Sequence, residues 1–269
     1  MERNGILALP LLLAASAGQA HIHIVPQNGS RDFPEGTSVE LVLRAPHSCR
    51  DEQNRYHPTT SIMALFPNGH QLVITPSGGQ PVDYLVGDQG LVDYLQTADR
   101  DGNLYSGNLV MGIKPAARAL AAFSMLHTIP GPVPPFYSHG LHDRDTRAIH
   151  WMGGSIPNDW YVDLPFRVRL PKINPQSCIR KITVAIPSVQ ECEGGYKLAW
   201  IGTDRSGRYA PGSDPKVKVY TDYSATFTIV RDLAKNPLPP SCGQGIEVKV
   251  APPASEIDHF LHHGVHGGI

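Results

Sequence analysis

The sequence has little charge and no run of one sign. Only 17% of its 269 residues are Asp, Glu, Lys or Arg, and 23 basic against 24 acidic side chains leave a formal charge of −1. No basic block exists to track a phosphate backbone, which argues against nucleic acid as a partner. Long hydrophobic runs are equally scarce. Past residue 20 none reaches the roughly 18 residues that a membrane helix needs, so a soluble mature chain with no membrane span is expected. The four cysteines, Cys49, Cys178, Cys192 and Cys242, form no Cys-x-x-Cys spacing, which leaves little basis for a zinc or thiol-redox site. Nor is there a Gly-x-Ser-x-Gly elbow, or a histidine whose Ser or Cys partner is recognisable by spacing, so acyl-transfer chemistry is not expected. Helical patterning is nearly absent: Pro115 to Met125 (PAARALAAFSM), Ala-rich and opening with Pro, reads equally as a helix or as a strand entering the core.

What the chain does have is short alternating runs. Thr37 to Ala45, Phe166 to Leu170, Ile179 to Ile186, Lys216 to Tyr220 and Ala225 to Val230 alternate apolar and polar residues and are bounded by Pro, Gly or Asn. With 25 Pro and 26 Gly between them, the expected fold is all-β, a two-sheet antiparallel β-sandwich of the immunoglobulin or cupredoxin kind. Residues 76–147 read as a long insertion, with a duplicated VDYL at Val82 and Val92 and a Pro-rich run from Ile129 to Pro135. Its Asp99 to Asn103 turn lacks the closing Glu of a calcium loop and reads as an ordinary Asp-Gly turn. Residues 232–269 read as a Pro-rich linker, one short strand at Ile246 to Val250, and a tail in which His259, His262, His263 and His266 offer weak metal binding.

The N-terminus carries the most chemistry. Arg3, an apolar stretch from Ile6 to Ala17 and small residues at Gly18 and Ala20 make residues 1–20 a secretory signal peptide. The expected location is therefore secreted, extracellular or periplasmic. Four cysteines in such a compartment imply two disulfides, with three pairings open. Cleavage after Ala20 makes His21 the first mature residue, whereas cleavage after Ala17 would bury its amine in a peptide bond. A free α-amine and the ring of the same histidine chelate a divalent ion, copper(II) above all. His23 shares a strand face with His21 and is a candidate neighbour.

Five stretches then carry a family resemblance: His21 to Pro26 (HIHIVP), Ala45 to Cys49 (APHSC), Pro58-Thr59-Thr60, His150 to Pro171 (HWMGGSIPNDWYVDLPFRVRLP) and Ile186 to Trp200 (IPSVQECEGGYKLAW). Together they resemble the YcnI-like copper-binding domain family, across most of residues 21–231 outside the insertion. The resemblance implies a β-sandwich holding one copper(II) in a single-histidine brace made by His21 and a carboxylate that falls on Asp163. The family more often has Glu there; Asp is one methylene shorter, so it needs a closer strand or a bridging water. The tryptophan beside the copper maps to Trp200, with Trp151 as the alternative. The resemblance also implies a Cys49–Cys192 bridge, which leaves Cys178 to pair with Cys242.

The leading expectation is a secreted copper(II)-binding protein, not an enzyme, for copper sequestration or for handover to a copper acceptor or transporter protein. One alternative is a copper-dependent polysaccharide oxidase, whose second histidine would be His127, His139, His142 or His150. Another is a structural extracellular β-sandwich in which His21 is incidental.

Overall fold

Alternation along the strands becomes burial in a computed structural model that describes residues 21–68, 71–85, 97–98, 104–105, 111–130 and 146–261. The expected signal peptide (residues 1–20), Val92, the Asp99 to Asn103 turn, His139, His142 and the tail histidines His262, His263 and His266 lie outside the described residues. From the N-terminus the strands are β1 (His23–Ile24), β2 (Asp32–Pro34), β3 (Ser38–Ala45), β4 (Cys49–Arg50), β5 (Tyr56–His57), β6 (Thr59–Leu65), β7 (Gln71–Pro76) and β8 (Val82–Leu85). There follow β9 (Thr97–Ala98), β10 (Leu104–Tyr105), β11 (Met111–Pro115), β12 (Met125–Pro130), β13 (Thr146–Ile156) and β14 (Val162–Arg169). The remainder are β15 (Ile179–Ile186), β16 (Ser188–Cys192), β17 (Lys197–Trp200), β18 (Val217–Tyr220), β19 (Ala225–Val230) and β20 (Ile246–Ala251).

The fold is all-β, as expected, built from a four-stranded sheet (β1-β3-β14-β11) and two six-stranded sheets, β12-β13-β6-β16-β17-β18 and β2-β19-β15-β20-β7-β8. One continuous core joins their inner faces. The four-stranded sheet contributes Leu41, Leu43 and Phe166, and the other two contribute Ile62, Trp151 and Trp200, and Val184, Phe227 and Val250. Spaced two apart, Leu41 and Leu43 turn inward together, while the residues between them face the other way. The sheet that ends in β18 buries its second face too. There Met63, Leu65, Val189 and Ala199 pack with Tyr209, Ile257 and Leu261, the last two from the C-terminal helix Ala254–Phe260 and its end.

Three features of the fold refine the expectation from sequence. The sheets are mixed, because β2 with β19, β15 with β20 and β17 with β18 pair in parallel. Pro115 to Met125 is neither one helix nor one strand; β11 ends at Pro115, a short 3-10 turn covers Ala117–Ala121, and β12 begins at Met125. Within residues 76–147, the described strands β8, β11 and β12 each extend an edge of one of the three large sheets.

Both disulfides are present. Cys49–Cys192 and Cys178–Cys242 have Cα separations of 6.0 and 5.2 Å. Among the described residues no helix is long and apolar enough to cross a membrane.

Candidate functional site

His21 precedes β1, which is fixed by two facts of its sequence. Ile22 and Ile24 are fully buried, and β1 pairs antiparallel with the end of β3, His23 opposite Arg44. This holds the half-buried His21 ring against the last two strands of the β18 sheet. Trp200 donates its indole N–H to His21 Nδ1 at 3.2 Å. Tyr220 meets the ring edge-on at 5.0 Å between centroids, and Tyr223 lies tilted at 4.8 Å. Trp200 and Tyr220 are register partners across β17 and β18 and stack at 5.7 Å, so one contact orders the other. Because an indole N–H only donates, Nδ1 is the unprotonated nitrogen of this ring.

His23 is tied to His21 through the backbone. Its Nδ1–H donates to the His21 carbonyl at 2.8 Å, which orients the His21–Ile22 peptide. Burial pushes its ring below the usual histidine range against the pull of that carbonyl; Arg31 and Arg44 add to the lowering and Asp163 opposes it. Burial likewise pushes the Tyr223 phenol up, keeping it neutral.

Of the residues assigned to the site, the fold brings His21, His23 and Trp200 together. Asp163 stands elsewhere in the row His23–Arg44–Asp163 across β1, β3 and β14. Two strand spacings, about 10 Å, separate it from His23, and His21 lies two residues further along. Arg44 holds both of its oxygens, at 2.7 and 2.8 Å, and stacks over Tyr161 at 4.1 Å. The hydrogen bonding it donates to Asp163 is also what chiefly raises the Arg44 guanidinium above its ordinary value. Trp151 is fully buried in the core on β13, four strands from β17 counting both.

Of the histidines offered for an oxidase brace, His127 and His150 are among the described residues, and they do not join His21. His127 and His150 sit opposite one another on β12 and β13, at the far end of the sheet from β17 and β18. They also face the side away from Trp200, alternating with Trp151 on β13. Burial pushes His150 down to about 4, so it is neutral at neutral pH. Among the described residues no group of three or more His, Cys, Asp or Glu stands ready to hold a metal ion.

The other motif residues are structural. Gln190 donates to the His47 carbonyl at 2.7 Å and to Thr59 Oγ1 at 2.5 Å, beside the Cys49–Cys192 bridge, so APHSC, PTT and QEC meet as one knot. Tyr220, Tyr223 and Arg44 are the site residues that sequence reading missed. Tyr220 lay in a recognisable strand, but only its parallel pairing with β17 shows that it stacks on Trp200.

No protein-family profile matches the chain, and no curated protein matches it. A structural likeness exists to the protein described under "AvmM Catalyzes Macrocyclization in Alchivemycin A Biosynthesis". It has 10% identity and a TM-score of 0.22 over 78% of this chain and 87% of that one. That score is too low to bear on fold or chemistry.

Proposed function

We propose that this is a secreted copper(II)-binding protein that captures the ion at the mature N-terminus for sequestration or for handover to an acceptor or transporter protein. The observation that carries this reading is the His21 ring, with Nδ1 unprotonated and directed at a single displaceable N–H donor. Connectivity decides which ring nitrogen matters. The α-amine and Nδ1 of one histidine close a six-membered chelate ring on a metal, which Nε2 cannot reach. Copper(II) favours such a nitrogen pair over other first-row divalent ions. The His21 α-amine and Nδ1 would hold the ion in place of the hydrogen bond that Trp200 now donates, and Tyr220 and Tyr223, which flank the ring, would help to exclude water. Two disulfides fit an oxidising compartment.

The carboxylate of the expected brace fits less well, since Arg44 occupies it. In this reading Asp163 serves as counter-charge, neutralising a guanidinium that would otherwise repel the incoming cation.

The test compares mature protein beginning at His21 with protein carrying one glycine ahead of it. Native protein is expected to bind one copper(II), to show nitrogen coupling in its paramagnetic resonance spectrum and to lose tryptophan fluorescence. Its affinity is expected to rise with pH until the amine, with an ordinary value near ~7.7–8.0, is deprotonated. The extended chain is expected to lose all of this. Equal affinity in the two proteins would refute the reading.

A further inference from the structure

A second cluster of metal-competent side chains lies on the opposite face of the β18 sheet, far from His21. On β12 and β13 two adjacent rows read His127–His150 and Met125–Met152, and Met63 on β6 stands opposite His150. Side chains alternate along a strand, so these five leave the sheet on one face. It is the face where Met63 packs with Leu65, Ala148, Val189 and Ala199. Directly opposed residues have Cβ atoms about 4.5–5.5 Å apart, so His150 stands between His127 and Met63 in one cross-strand row. Exposure grades outward: His150 and Met63 are each 2% exposed, whereas Met125 is 54% exposed at the sheet edge. His127 is exposed and Met152 half-buried, which leaves an entrance on one side.

His150 is the independent sign that something belongs here. Neither of its ring nitrogens has a hydrogen-bond partner, although both are buried. An unmet buried polar group costs about 1–3 kcal/mol, and a position with only packing to do is served better by Leu or Phe. Each of the four outward positions in these two rows of β12 and β13 is instead a histidine or a methionine.

We propose that His150, Met63, Met152 and His127 form a site for a soft monovalent ion, copper(I) in its natural setting. Thioethers and neutral imidazoles select copper(I) over hard cations, and methionine's flexible stem adapts to it. Every ligand is uncharged, so a bound monovalent ion leaves one positive charge in a partly dry site where a divalent ion would leave two. Glu191, the nearest carboxylate in the neighbouring rows, is bound by Lys197 at 2.5 Å and Ser61 at 3.0 Å and supplies no ligand.

This site does not depend on the N-terminal one. The test uses full-length mature protein with methionine methyls labelled by carbon-13, titrated with silver(I) as a redox-inert probe, with and without the extra glycine before His21. The Met63 and Met152 methyl resonances are expected to shift with the first equivalent in both proteins. M63L/M152L keeps side-chain volume and is expected to lose one equivalent of silver(I), and of copper(I) in anaerobic competition with a chromophoric chelator. H150L is expected to do the same where it folds. A Met63 resonance unmoved by silver(I), or an unchanged stoichiometry in M63L/M152L, would overturn the proposal and assign the binding to the chain's other histidines.

Discussion

Asp163 and Arg44 illustrate how much depends on a partner the sequence does not name. A carboxylate on a strand near an N-terminal histidine reads as a ligand, yet cross-strand register places it opposite an arginine that takes both its oxygens. The two roles give opposite results in a double-mutant cycle. If Asp163 is counter-charge, D163N exposes the Arg44 cation and weakens copper(II) binding by about 1 kcal/mol, roughly fivefold. Removing the cation as well, in R44Q/D163N, is then expected to restore native affinity by calorimetric titration. A double variant as weak as D163N would instead make Asp163 a ligand. His21 and Trp200 were legible at this scale because one follows a stretch that reads as a cleavage signal and the other closes a motif. Tyr223 was not, because no periodicity places a loop tyrosine against a ring some two hundred residues away.

Elements were more legible than their pairings. Alternation located β3, β15 and β19, whereas β13 was hidden because both its faces are buried and its residues Thr146 to Trp151 show no polar side. The Gly153-Gly154 pair in that strand is explained by a close neighbour. Gly153 has φ +74°, and a Cβ there would lie 2.0 Å from Ser124 Oγ, so only glycine admits the Phe123–Ser124 segment. The β4–β5 hairpin shows the same dependence on a local partner. Asp51 accepts hydrogen bonds from the backbone N–H of Gln53 and Arg55, from Arg55 Nε and from His57 Nε2. Burial alone would raise its carboxyl, but these donors overcome it and hold the group at about 2, below an ordinary value of 3.8. The folded-state value is depressed, so this carboxylate stabilises the fold fully above the ordinary value and loses that effect as pH falls towards 2. Urea unfolding of D51N is therefore expected to show a deficit at pH 5 that shrinks steadily between pH 4 and pH 2. A deficit independent of pH would show that Asp51 acts through shape alone.

For the whole molecule, the segment after Asp232 changes meaning. By composition it is a Pro-rich linker and a tail, but its strand β20 runs between β15 and β7, parallel to one and antiparallel to the other. A parallel partner needs no tight turn and leaves no hairpin signal, so the sequence could show a strand there without showing that it is central. Without β20, β7 and β8 have no neighbour in that sheet. The approach to β20 is tied down as well. Arg231, 2% exposed, donates to the carbonyls of Pro175, Ser177, Ile179, Asn236 and Pro237, and Cys178–Cys242 closes the same corner. These ties differ in kind. The disulfide mainly restricts the unfolded chain and is worth about 2–4 kcal/mol, whereas β20 completes a core through Val248 and Val250. C178A/C242A is therefore expected to stay folded, to unfold cooperatively at lower urea and to keep copper(II) binding at His21. A chain ending at Arg231 is expected to lose cooperative unfolding and become protease-sensitive within the β7–β8 edge. A truncated chain that unfolds as sharply as the full-length protein would make β20 an ornament of the sheet and the region before it the true folding unit.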